Sequence, residues 1–129
     1  MSRPEAAKVG NDSRLYVSDY GNHRIQIFTL EGEYITSFGS EGGNDGQFRN
    51  VTGIALDKYN NIYACDLGND RIQVFDSSGN FLYEWGTEGA GDGQFENLHG
   101  IIVDEDGYIY VADTGNNRIQ RFRVLNFGS

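Results

Sequence analysis

Three aspartate–arginine pairs hold most of the reactive side chains that recur in this chain. Asp19 and Arg24, Asp66 and Arg71, and Asp113 and Arg118 each stand five residues apart. They lie in the phrases "DYGNHRIQIF", "DLGNDRIQVF" and "DTGNNRIQRF", which also share Asn22, Asn69 and Asn116. A carboxylate within reach of a guanidinium forms a charge-assisted hydrogen bond. An Asn in such a turn takes the left-handed conformation or bonds the turn with its side chain. Specific ligand sites usually break symmetry, whereas this phrase returns with its chemistry intact, so it reads as a structural network. In that reading each Asp accepts N–H bonds from the turn that follows it. Each Arg lays its stem over aromatic surface and pairs its head with a carboxylate, Asp66 or Asp57 in the case of Arg71.

Other reactive groups are sparse. His99 precedes Gly100 at the start of an apolar segment, and its counterpart one repeat earlier is Thr52; Asp57 and Asp104 stand at the far ends of the same two segments. His99, Thr52, Asp57 and Asp104 are the candidate ligand-binding residues. His23 reads as an exposed turn residue. Cys65 aligns with Ser18 and Ala112, which makes it a small packed side chain, and a lone cysteine forms no intrachain disulfide. No nucleophile elbow, phosphate loop or zinc-ligand spacing occurs, so no catalytic residue is assigned. Asp45 and Asp92, in "NDGQF" and "GDGQF", resemble part of a calcium loop but lack the alternating acids and closing Glu of an EF-hand. No cofactor is expected; calcium or zinc are the metals these residues leave open.

Composition excludes several partners. The 129 residues carry ten Lys and Arg against 19 Asp and Glu, a net charge of −9. That balance opposes nucleic-acid binding, which needs a basic footprint. No apolar run is long enough to span a bilayer, and the N-terminus shows no signal core. The expectation is a soluble chain of unassigned compartment, with no membrane partner.

These residues sit on a repeat. The shared Asp and Arg recur every 47 residues, and segments 14–57 and 61–104 match at 20 of 44 positions without a gap. "GSEGGNDGQF" at 39–48 returns as "GTEGAGDGQF" at 86–95, and "GIALD" at 53–57 as "GIIVD" at 100–104. Within one repeat, "GIALD", "NIYACD", "RIQVF" and "FLYEW" are short, β-branched or aromatic, and alternate in polarity. "DKYNN", "LGND" and "DSSGN" between them are turns. No stretch has a helical period. Four short strands joined by tight turns in about 47 residues make the blade of a β-propeller. The chain is therefore expected to be all-β.

"GIIVDEDGYIYVADTGNNRIQRF" resembles the NHL repeat, and the resemblance covers residues 14–123. It departs from that family at Val51 and Leu98, where a Pro is usual, and keeps the signature His only as His23. The resemblance implies propeller blades in a ring that most often has six. It also implies two enzyme-like alternatives to a binding scaffold, a metal-dependent lyase or a hydrolase centred on the channel.

Blade 1 is placed at 14–38, blade 2 at 53–86 and blade 3 at 100–129, with 1–13 an N-terminal segment whose "AAKVG" at 6–10 is a degraded inner strand. "VLNFG" at 124–128 is the expected outer strand of blade 3. An arc of three blades leaves an apolar face at each end, which water disfavours. Two copies around a two-fold axis would close a six-bladed ring, so a homodimer is expected, binding a protein, peptide or small ligand on its loop face. The rival reading is a piece of a longer propeller chain.

Overall fold

The computed structural model describes residues 3–123. Strands β1 (Pro4–Val9), β2 (Arg14–Asp19), β3 (Arg24–Thr29) and β4 (Tyr34–Phe38) form one antiparallel sheet in chain order. Strands β5 (Val51–Leu56), β6 (Ile62–Asp66), β7 (Arg71–Phe75) and β8 (Phe81–Trp85) form a second in the same order. A short parallel pair, β9 (Thr87–Glu88) and β10 (Gln94–Phe95), closes the following loop. Strands β11 (Leu98–Val103), β12 (Tyr108–Asp113) and β13 (Arg118–Arg123) form the third sheet. These sheets are blades 1, 2 and 3, and the fold is all-β. "VLNFG" lies outside the described residues.

The turns follow from local chemistry. Asp76 Oδ1 accepts the backbone N–H groups of Ser78 and Asn80, both at 2.9 Å, which folds "DSSGN" between β7 and β8. The Gly-Asn phrase becomes one turn of 3₁₀ helix in every blade. The left-handed position that ends it falls on the next residue: His23 (φ 55°), Asp70 (φ 53°) and Asn117 (φ 54°). Asn22, Asn69 and Asn116 instead use their side chains, the second of the two roles foreseen for them.

Alternation along each strand gives every blade two different faces. Register pairs Tyr16 with Ile27 and Ser18 with Ile25 on one face of blade 1. That face meets Ile62, Ala64 and Phe75 of blade 2, with Phe48 wedged between, in one buried cluster. The opposite face of blade 2, with Tyr63, Cys65, Ile72 and Val74, meets Ile109, Val111 and the wedge Phe95 in a second cluster. The core is thus two inter-blade layers of the same design. The first strands of neighbouring blades, β5 and β11, nearly touch: a Cβ on Gly53 would lie 2.2 Å from the His99 carbonyl oxygen, so only glycine fits there. Hydroxyls stitch the same region. Ser18 Oγ donates to the Thr52 carbonyl at 2.6 Å, and Thr52 Oγ1 donates to the Leu98 carbonyl at 2.9 Å.

Candidate functional site

The Asp–Arg phrase builds a joint that grips the neighbouring blade's loop. In blade 2, Asp66 Oδ2 accepts Asn69 Nδ2 (2.9 Å), Arg71 Nε (2.8 Å) and Gln73 Nε2 (3.3 Å). Its Oδ1 accepts the Arg49 backbone N–H at 2.8 Å. That partner corrects the expectation of bonds from the following turn: the carboxylate reaches 17 residues back, to the chain that enters its own blade. The carboxylate fixes three side chains, which in turn seize loop 39–47. Arg71 Nη2 donates to the carbonyls of Asn44 (2.9 Å) and Gln47 (2.8 Å), and Asn69 Nδ2 to that of Gly42 (2.9 Å). Gln73 Nε2 donates to the Gln47 carbonyl, while its Oε1 accepts the Gly46 N–H.

Blade 3 repeats the arrangement. Asp113 Oδ2 accepts Asn116, Arg118 and Gln120, and Oδ1 accepts the Glu96 N–H. Arg118 Nη2 and Gln120 Nε2 then hold the Gln94 carbonyl at 3.0 and 2.8 Å. The glutamines are the members that sequence reasoning left out. Their signal was present, since Gln26, Gln73 and Gln120 recur at the same 47-residue interval as the aspartates.

Burial by itself would raise the Asp113 carboxyl; the bonds from the Glu96 N–H, Asn116, Arg118 and Gln120 outweigh it and hold the group below the usual carboxylate range. A depressed folded pKa adds stability that is complete above the unfolded value near ~3.9 and disappears as pH falls through the folded value. Urea midpoints should hold steady from neutrality down to about pH 5 and decline below about pH 4. In Asp113→Asn the decline should be shallower.

The four candidate ligand residues do not converge. Thr52 is fully buried and serves the inter-blade stitch. His99 is exposed and shares a hydrogen bond with Asn97 Oδ1 at 3.2 Å. Asp57 and Asp104 stand at the other end of the inner strands, on the rim of a cavity of about 250 Å³ that Gly10, Asn11 and Lys58 also line. There Asp57 Oδ2 accepts the Tyr63 hydroxyl and Asp104 Oδ2 the Tyr110 hydroxyl, each at 3.1 Å. Both carboxylates also cap their own turns through backbone N–H groups. Among the described residues no three His, Cys, Asp or Glu side chains converge to hold a metal ion.

His23 departs from the exposed turn residue expected of it. Its side chain is only 19% exposed, and Nδ1 accepts the Asn50 N–H at 2.9 Å. Cys65 is fully buried, and burial pushes its thiol up to about 12. A thiol-exchange reagent at pH 8 should leave the folded chain unmodified and label one cysteine per chain once urea unfolds it.

The comparisons agree with this architecture. The NHL repeat family matches residues 1–28 and 95–122. Residues 48–75 stand midway between them, 47 residues from each. No curated protein matches the chain. Among solved structures, a protein of unknown function from Bacteroides thetaiotaomicron is similar at TM-score 0.76 and 20% identity, over 87% of this chain and 32% of that one. A streptogramin B lyase is similar at TM-score 0.71 and 14% identity, over 96% of this chain and 41% of that one. The virginiamycin B lyase of Staphylococcus aureus is similar at TM-score 0.66 and 18% identity, over 96% of this chain and 42% of that one. At these identities the likeness is one of fold. The chain spans between a third and about two fifths of the length of these structures.

Proposed function

This chain carries NHL repeats arranged as propeller blades, and from that premise we propose that it is a non-enzymatic scaffold completed by a second copy of itself. Blade 3 of one copy packs on blade 1 of the other at two equivalent seams, giving a six-bladed ring. The ring's loop face binds a protein, peptide or small ligand, with the cavity beside Asp57 and Asp104 as its centre.

One observation carries the reading. Ile25 and Ile72 are fully buried, while Ile119 at the same repeat position is 67% exposed. Ile102, beside it on the open face of blade 3, is 57% exposed, whereas its counterpart Ala55 is buried. Ile102 and Ile119 line an apolar depression with Ile101, Tyr110 and Ala112, which is the surface that the next blade covers at each internal joint. Covering the two exposed isoleucines is worth roughly 2–4 kcal/mol at each seam, and the ring makes two seams at once.

The reading makes stability depend on concentration, because a second copy binds only the folded chain. Urea midpoints measured at 1 and 100 micromolar protomer should differ, the concentrated sample being more resistant. Identical midpoints would remove the second copy from the account.

A further inference from the structure

Blade 3 departs from the repeat on the face that carries Ile102 and Ile119. Ile27 and Val74 share one repeat position and are fully buried at the two internal joints. At that position blade 3 has Arg121, which is exposed. Register sets Arg121 opposite Tyr110 and Arg123 opposite Tyr108, on the face shared with Ala112 and Ile119. Both guanidiniums lie 4.9 Å from the centroid of the Tyr108 ring. The two arginines therefore border the apolar depression of Ile102, Ala112 and Ile119. Strand β13 holds three of the chain's ten Lys and Arg and no acid, in a chain of net charge −9. Arg118 pairs with Asp113. Arg121 and Arg123 have no ion-pair partner among the described residues.

Blade 1 departs from the repeat with the opposite charge. The turn between β7 and β8 is "DSSGN", and its counterpart between β3 and β4 is "TLEGE", so Glu31 and Glu33 stand where blade 2 has Ser78 and Asn80. Both carboxylates are exposed and have no ion-pair partner among the described residues. Stacking carries this turn toward the preceding blade. At the first internal joint a Cβ on Gly79 would lie 2.8 Å from the Phe38 ring of blade 1, and Gly32 is the counterpart of Gly79. Repeated at the proposed seam, that geometry brings Glu31 and Glu33 of one copy toward the open face of blade 3 of the other. We infer that Arg121 and Arg123 pair there with Glu31 and Glu33 of the second copy, and that this pairing selects which surface covers blade 3. Two blade 3 faces could otherwise bury their isoleucines against each other, but that would set arginine against arginine. The arginine stems cover apolar surface while their heads reach a carboxylate at the rim. The inference rests on the second-copy reading and adds the chemistry by which one copy recognises the other.

Two variants of the full chain test it: Arg121→Glu with Arg123→Glu, and Glu31→Arg with Glu33→Arg. All four side chains are exposed, so each variant should stay folded by circular dichroism. In sedimentation equilibrium the parent should pair more weakly as salt rises from about 50 to about 500 millimolar. Each variant alone should pair about tenfold more weakly than the parent or worse, since both of its seams then oppose like charges. An equimolar mixture of the two should pair again, because each seam of the mixed ring joins opposite charges. Variants that pair as tightly as the parent would overturn this inference and leave the second copy in place. So would a mixture that pairs no better than its components, or a parent whose pairing ignores salt. A parent that stays a single chain would overturn the second-copy reading and this pairing of charges with it.

Discussion

Asp66→Ala lowers stability by about 3–5 kcal/mol, the range for removing one partner of a buried ion pair. The carboxylate is fully buried and fixes Asn69, Arg71 and Gln73 together. Its loss strands a guanidinium whose side chain is only 8% exposed, with Glu84 at 2.9 Å as its remaining charged partner. Against the ~5–15 kcal/mol that ordinary domains possess, this is a large fraction. The three joints also predict an order. The paired arginines are 8%, 28% and 37% exposed in blades 2, 3 and 1, so Asp66→Ala costs most and Asp19→Ala least. The double substitution Asp66→Ala with Arg71→Met recovers part of the loss, since no unpaired charge then remains. Urea unfolding at one fixed protomer concentration reads all of these.

Ile119→Arg should abolish the proposed pairing of copies. It leaves the chain's internal joints alone, because this residue lies on the open face of blade 3. It places one arginine in each of the two proposed seams, among Ile102, Tyr110 and Ala112. Burying two such charges without partners loses about 4 kcal/mol or more, roughly a thousandfold in dimer affinity. The variant should stay folded by circular dichroism and sediment as a single chain at concentrations where the parent is paired. Unchanged assembly would mean that this face is not the seam.

The blades were legible in the sequence because their causes are local. Alternation in "RIQVF", Gly in "DSSGN" and the recurrence of Asp and Arg act within a few residues of one another. The joint was legible in its members Asp66, Asn69 and Arg71 but not in its direction. The Arg49 N–H and the Gln47 carbonyl reach it only after a whole blade edge has folded. His23 was misread for the same reason, since its partner Asn50 lies 27 residues away. Strand β1, "PEAAKV", has few apolar side chains, and it is held by pairing along β2 and by standing beside β5. The four candidate ligand residues were chosen by their place along the inner strands, and that choice did not foresee that Thr52 would be taken up by the Leu98 carbonyl or Asp57 by the Tyr63 hydroxyl.

Sedimentation equilibrium of the full chain at micromolar concentration is the most direct test of the idea that the exposed face of blade 3 is covered by another copy. The account predicts a species of twice the 14.4 kDa of one chain, with Ile119→Arg returning it to one. A well-folded particle of 14.4 kDa across that range would contradict it.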